Sequence, residues 1–140
     1  MTIKELQEEI IEDFDLFDDW MERYEFIIEN GKSLPQIDEG NKSDDNIIKG
    51  CQSKVWLHAD DIDGKLQFTA DSDAILTKGI ISLLLKVYNN QSPDDILNND
   101  PYFIDEIGLK EHLSPTRANG LLSMVKQIKL FALAYKSKNS

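Results

Sequence analysis

Cys51 is the one cysteine of this 140-residue chain, and its neighbours suit a reactive thiol. The thiolate is the nucleophilic form of cysteine, and nearby cations favour it. The segment Gly50-Cys51-Gln52-Ser53-Lys54 is small and polar, and Lys49 and Lys54 bracket the thiol. The expectation is a loop cysteine available for chemistry, with both lysines helping it ionise. The competing role is the ordinary one of an unpaired cysteine, a small buried hydrophobe.

Two charged residues also invite a role. Arg117 falls in the first turn of a helix opened by Ser114-Pro115-Thr116, where a cation opposes the helix dipole by roughly 0.3–1 kcal/mol. Either solvent screens that cost, or the guanidinium is aimed at a carboxylate or a sulfur anion. Asp71 precedes another helix and suits it as a cap. An Asp71–Arg117 ion pair would satisfy both residues. The acidic run Asp60-Asp61-Ile62-Asp63-Gly64 invites comparison with a calcium loop. Matching its glycine puts Ala59 at the first ligand position and Ala70 where the bidentate glutamate belongs, so it reads as a solvated turn. His58 has no second ligand beside it, Trp20 and Trp56 read as core or rim aromatics, and no phosphate loop, dinucleotide glycine pattern or nucleophile elbow is present.

Composition narrows the classes. Hydrophobic residues make up 41% and charged residues 29% of a 16.0 kDa chain, which fits one globular domain over residues 1–140. The formal net charge is −11, and all of it belongs to the stretch from Met1 to Asp45. No dense cluster of Lys and Arg stands ready to displace counterions, so neither nucleic acid nor a membrane surface is an expected partner. One cysteine excludes an internal disulfide, and with two histidines it offers too few soft ligands for a structural zinc or iron–sulfur site. No cationic start leads into an apolar run, and the expectation is a cytoplasmic protein.

The elements that must position these residues follow from periodicity. Ile3, Leu6, Ile10, Phe14 and Phe17 recur at helical spacing among acids; Trp20, Tyr24, Ile27 and Ile28 repeat the pattern and stop at Asn30-Gly31, a pair suited to a left-handed cap. From Lys32 to Asn46 the chain reads as a long surface loop. Val55, Leu57 and Ala59, then Leu66, Phe68 and Ala70, alternate with polar residues around Asp63-Gly64, as a β-hairpin requires. Ile47 and Ile48 suggest a further short strand, with Cys51 at the junction. Asp71-Ser72-Asp73 offers caps to a central core helix, Ser92-Pro93 opens a short helix, and Ser114-Pro115 opens a long one running to about Lys136. The fold class expected is α+β: an N-terminal helical pair, a small antiparallel sheet packed against helices, and a long C-terminal helix.

Four blocks in order now resemble the SufE family of cysteine desulfuration proteins, across nearly the whole chain. They are Trp20-Met21-Glu22-Arg23-Tyr24 through Gly31-Lys32-Ser33-Leu34-Pro35; Gly50-Cys51-Gln52-Ser53-Lys54-Val55-Trp56-Leu57, the most specific; Ala70-Asp71-Ser72-Asp73-Ala74 with Lys78-Gly79; and Leu113-Ser114-Pro115-Thr116-Arg117-Ala118-Asn119-Gly120-Leu121. The family pattern tolerates serine where Thr116 stands, and the loop after Pro35 varies in the family. The resemblance implies the fold shared with IscU-type scaffolds. It implies that Cys51 accepts sulfur as a persulfide from a SufS-type cysteine desulfurase and passes it to downstream SUF scaffold proteins for iron–sulfur assembly. This chain would hold no cofactor, pyridoxal phosphate belonging to the partner. Arg117 and Asp71 match polar family positions near the acceptor, with Gly50, Gln52 and Ser53 shaping its segment.

Sulfur transfer to a thiol is a displacement that one accessible cysteine can perform, best with a pKa near ambient pH. The loop is expected to be partly sheltered in the isolated protein and to extend on docking. Two other roles are compatible with the same residues: a thiol redox sensor using Cys51, weakened by the lack of an internal resolving cysteine, and a non-catalytic acidic adaptor in which the cysteine only packs.

Overall fold

The computed structural model describes residues 1–139. Helix α1 (Ile3–Asp15) opens with a reciprocal cap: Glu5 N–H donates to Thr2 Oγ1 at 3.1 Å and Thr2 N–H to Glu5 Oε1 at 3.0 Å. Ile3, Ile10 and Phe14 face the core and the acids face out. Helix α2 (Trp20–Gly31) is capped by Asp19, whose carboxylate accepts from Glu22 N–H at 2.9 Å. The α+β class holds: β1 (Val55–Ile62) and β2 (Lys65–Ser72) form a two-stranded antiparallel sheet, followed by α3 (Ile75–Tyr88), α4 (Pro93–Asn98), α5 (Phe103–Glu106) and the long α6 (Pro115–Asn139).

The hairpin is the one the alternation describes. Val55 pairs with Ser72 and Ile62 with Lys65, and the turn residues Asp63 and Gly64 have φ of 55° and 84°, the doubly positive geometry of a two-residue hairpin turn. Val55, Leu57, Ala59, Leu66, Phe68 and Ala70 are all buried on one face. Against them lie α3, buried almost all round, and the inner stripe of α6, where Leu121, Met124, Ile128 and Ala132 are buried. Phe131 meets Phe68 edge-on at 6.2 Å, and Tyr135 Oη donates to the Ala59 carbonyl at 2.8 Å.

Four local expectations need correcting. Lys32–Asn46 is not simply a surface loop: Leu34 and Ile37 are buried, and Ala70 bonds to Pro35 O at 2.9 Å and Ile37 N at 3.2 Å, so this segment covers an edge of β2. A two-stranded sheet needs such cover, because open edges recruit other chains. Gly31 is not a left-handed cap but the last residue of α2, where α3 comes closest. A side chain on Gly31 would stand 3.0 Å from Gly79 N, and one on Gly79 only 2.2 Å from Ile27 O. Ile47 makes an isolated bridge to Trp56 rather than a strand. The N-cap of α3 is Ala74, which forms no side-chain cap, while Asp71 and Ser72 belong to β2.

Candidate functional site

The cysteine segment is held at both ends and leans on α6 in the middle. At one end Ile48 N–H donates to Val55 O at 2.8 Å. At the other, Lys54 N–H donates to Asp73 Oδ1 at 3.0 Å, and Lys54 O accepts from Ser72 Oγ at 2.8 Å and Asp73 N–H at 3.2 Å. Gly50 makes the bend between them. Its φ of 93° lies in the left-handed region that favours glycine, and a Cβ there would sit 2.6 Å from Ser123 Oγ, which would have to move.

Cys51 comes to rest against the first turns of α6. Its Sγ lies 3.6 Å from Gly120 O, as a weak S–H donor, and a Cβ on Gly120 would stand 3.5 Å from the sulfur. The residue is half-buried. Sulfur and helices enclose a narrow crevice of about 10 Å³, lined by Gln52 and Ser53 from the loop, Thr77 and Ile80 from α3, and Thr116, Arg117, Gly120 and Met124 from α6. The structure therefore brings Cys51, Gln52, Ser53 and Arg117 to one place, with Gly50 shaping the approach. Burial pushes the Cys51 thiol above its ordinary pKa, and neither Lys49 nor Lys54 counteracts it, contrary to the sequence expectation.

Asp71 is elsewhere, and the Asp71–Arg117 pair does not form. Asp71 lies opposite Trp56 in the hairpin; its Oδ2 is 2.6 Å from Lys42 Nζ and its Oδ1 is 3.5 Å from Lys78 Nζ. Burial works against its charge, but the hydrogen bond from Lys42, the Ser72 N–H and the charge of Lys78 outweigh it, so its carboxyl titrates below the ordinary value. Lys42 also pairs with Glu39 and lies 5.7 Å from the centre of the Trp56 ring. Asp71 thus ties the 32–54 segment to the hairpin and α3. Arg117 is exposed, with its backbone N–H on Ser114 Oγ at 3.2 Å, and has no ion pair among the described residues.

Three residues of this site escape a reading of the sequence. Asp73 looks like a helix cap but pins the cysteine segment through Lys54. Gly120 carries one available signal, a glycine inside a helix, which costs about 1 kcal/mol against alanine and so hints at a close approach. Thr77 carries none. Among the described residues no group of three His, Cys, Asp or Glu is arranged to hold a metal ion, and no helix is long and apolar enough to cross a membrane.

Fold and site together define an α+β protein that presents one half-buried thiol from a pinned loop against two helices. A family model described as "SufE: Fe-S metabolism associated domain" matches residues 8–132. An uncharacterized SufE-like protein of Rhizobium meliloti (strain 1021) is 41% identical over 127 residues, covering 87% of this chain and 91% of that one. A second, from Rhizobium etli, is 39% identical over 127 residues, covering 87% and 86%. The chain belongs to the SufE family, associated with Fe–S metabolism. The solution structure of a hypothetical protein from Thermus thermophilus shares the fold, with a TM-score of 0.77 over 96% of this chain and 97% of that one at 23% identity.

Proposed function

We propose that this protein is a sulfur acceptor and activator for a pyridoxal-phosphate-dependent cysteine desulfurase, with Cys51 as the acceptor. The observation that carries it is the placement of the chain's one thiol: half-buried, on a segment pinned at both ends, at the mouth of a crevice bordered by Arg117. The cofactor belongs to the partner. Transfer is a displacement on sulfur. The Cys51 thiolate attacks the outer sulfur of the donor persulfide, the donor's sulfur–sulfur bond breaks, and the donor cysteine leaves as a thiolate. Cys51 then carries the sulfur to scaffold proteins of iron–sulfur assembly.

Burial gives the resting state its logic. A thiol pushed up in pKa is mostly protonated at neutral pH and a poor nucleophile, so the isolated protein resists adventitious chemistry. Extension of the loop into the partner's site removes that burial and restores the thiolate where the donor waits. Gly50 is the hinge suited to such movement, and Arg117, without an ion pair among the described residues, is the cation suited to the anionic sulfur. The same burial argues against a peroxide sensor, which needs an exposed thiol of low pKa. Alanine release by a cysteine desulfurase, measured with and without this protein, tests the proposal: the wild type raises the rate and Cys51→Ser does not. Equal stimulation by both would assign the effect to a non-catalytic adaptor.

A further inference from the structure

Thr77 is a buried hydroxyl that the transfer as described leaves unused. The residue lies in the first turn of α3 and is 6% exposed, and its hydroxyl pairs with no group among the described residues. Every sealed side-chain oxygen or nitrogen among those residues has a hydrogen-bond partner, so the small open part of Thr77 includes its oxygen. Thr77 lines the Cys51 crevice together with Ile80, Gly120 and Met124.

Thiol and anion make opposite demands there. The Cys51 S–H has the Gly120 carbonyl to donate to, at 3.6 Å. An anion on that sulfur, or on a second sulfur bonded to it, has no proton for a carbonyl and needs a donor. Ile80 and Met124 offer none. Gln52, Thr116 and Arg117 are exposed and Ser53 is partly exposed, so Thr77 is the one buried side-chain donor among the residues that line the crevice. The crevice, about 10 Å³, is near the least volume that holds one water-sized guest, which suits one added sulfur.

We propose that the Thr77 hydroxyl donates a hydrogen bond to the outer sulfur of a Cys51 persulfide anion, in a crevice sized for a single sulfur. This rests on the acceptor reading above and adds a binding group to it. Inorganic polysulfide supplies a test without any desulfurase. The Cys51 thiolate takes one sulfur, a sulfur–sulfur bond of the polysulfide breaks, and a polysulfide one sulfur shorter leaves with the electron pair. The persulfide pKa is then titrated by its near-ultraviolet absorbance in wild type, Thr77→Val and Thr77→Ser, with intact mass counting the sulfurs. The expected result is one added sulfur in the wild type, a persulfide pKa higher by about one in Thr77→Val, since a hydrogen bond to a charged group is worth about that much, and recovery in Thr77→Ser. Thr77→Ala serves as a second variant lacking the hydroxyl and shifts the same way. Equal pKa values throughout overturn the Thr77 assignment even where a desulfurase transfers sulfur normally, and two or more sulfurs retained by the wild type overturn the crevice's size limit. Normal polysulfide loading with no transfer from a desulfurase strikes the acceptor reading and leaves the Thr77 result standing. No loading of Cys51 at all overturns both.

Discussion

At the scale of single residues, Gly50 carries the tightest constraint in the site. Its positive φ strains any side chain placed there, and a Cβ would push on Ser123 Oγ, 2.6 Å away. Gly50→Ala is expected to lower stability by about 1–3 kcal/mol, from strained backbone and displaced Ser123, and to slow sulfur uptake by Cys51. Urea unfolding checks the first; an unchanged midpoint would show that the loop bends without cost. The candidate residue stands out in the sequence, as one cysteine in a small polar segment. Its environment does not. Lys49 and Lys54 are near it in sequence, whereas Thr77 and Gly120, which line its crevice, are 26 and 69 positions away and reach it only through the packing of α3 and α6 on the loop.

At the scale of elements, the periods were legible and the close contacts were not. Helical spacing marks α1, α2, α3 and α6, the alternation around Asp63-Gly64 marks the hairpin, and the Ser-Pro pairs mark the starts of α4 and α6. Glycine is the ambiguous letter: Gly31 reads as a helix cap, yet it and Gly79 are where α2 and α3 touch backbone to backbone. Gly79→Ala, driving a Cβ to 2.2 Å from Ile27 O, is expected to cost roughly 3 kcal/mol, while Gly40→Ala, with nothing within 4 Å, stays near wild type in the same thermal scan. Comparable losses in both would contradict this packing. Asp71 was misassigned for a related reason, since its partner Lys42 sits in a stretch without periodicity. Its carboxyl titrates below the ordinary value, so its contribution is present above the unfolded-state pKa of about 3.9 and fades as pH falls through the lower folded value. Asp71→Asn should therefore lower the urea midpoint at pH 7 and by much less in strong acid; a deficit independent of pH would remove the ion pair from the account.

At the scale of the whole molecule, charge and chemistry are segregated. The formal −11 is concentrated in the N-terminal stretch containing α1 and α2, while the cysteine crevice is formed by the later loop, α3 and α6, with Arg117 at its edge. A surface so acidic repels its own kind and favours contact with cationic surfaces. The proposed role turns on Cys51 becoming a persulfide. Intact-protein mass spectrometry without reductant, after incubation with a cysteine desulfurase and cysteine, tests it most directly. The wild type is expected to gain the mass of one sulfur and Cys51→Ser none; a wild type that gains no sulfur, or a variant that gains as much, would contradict the acceptor role.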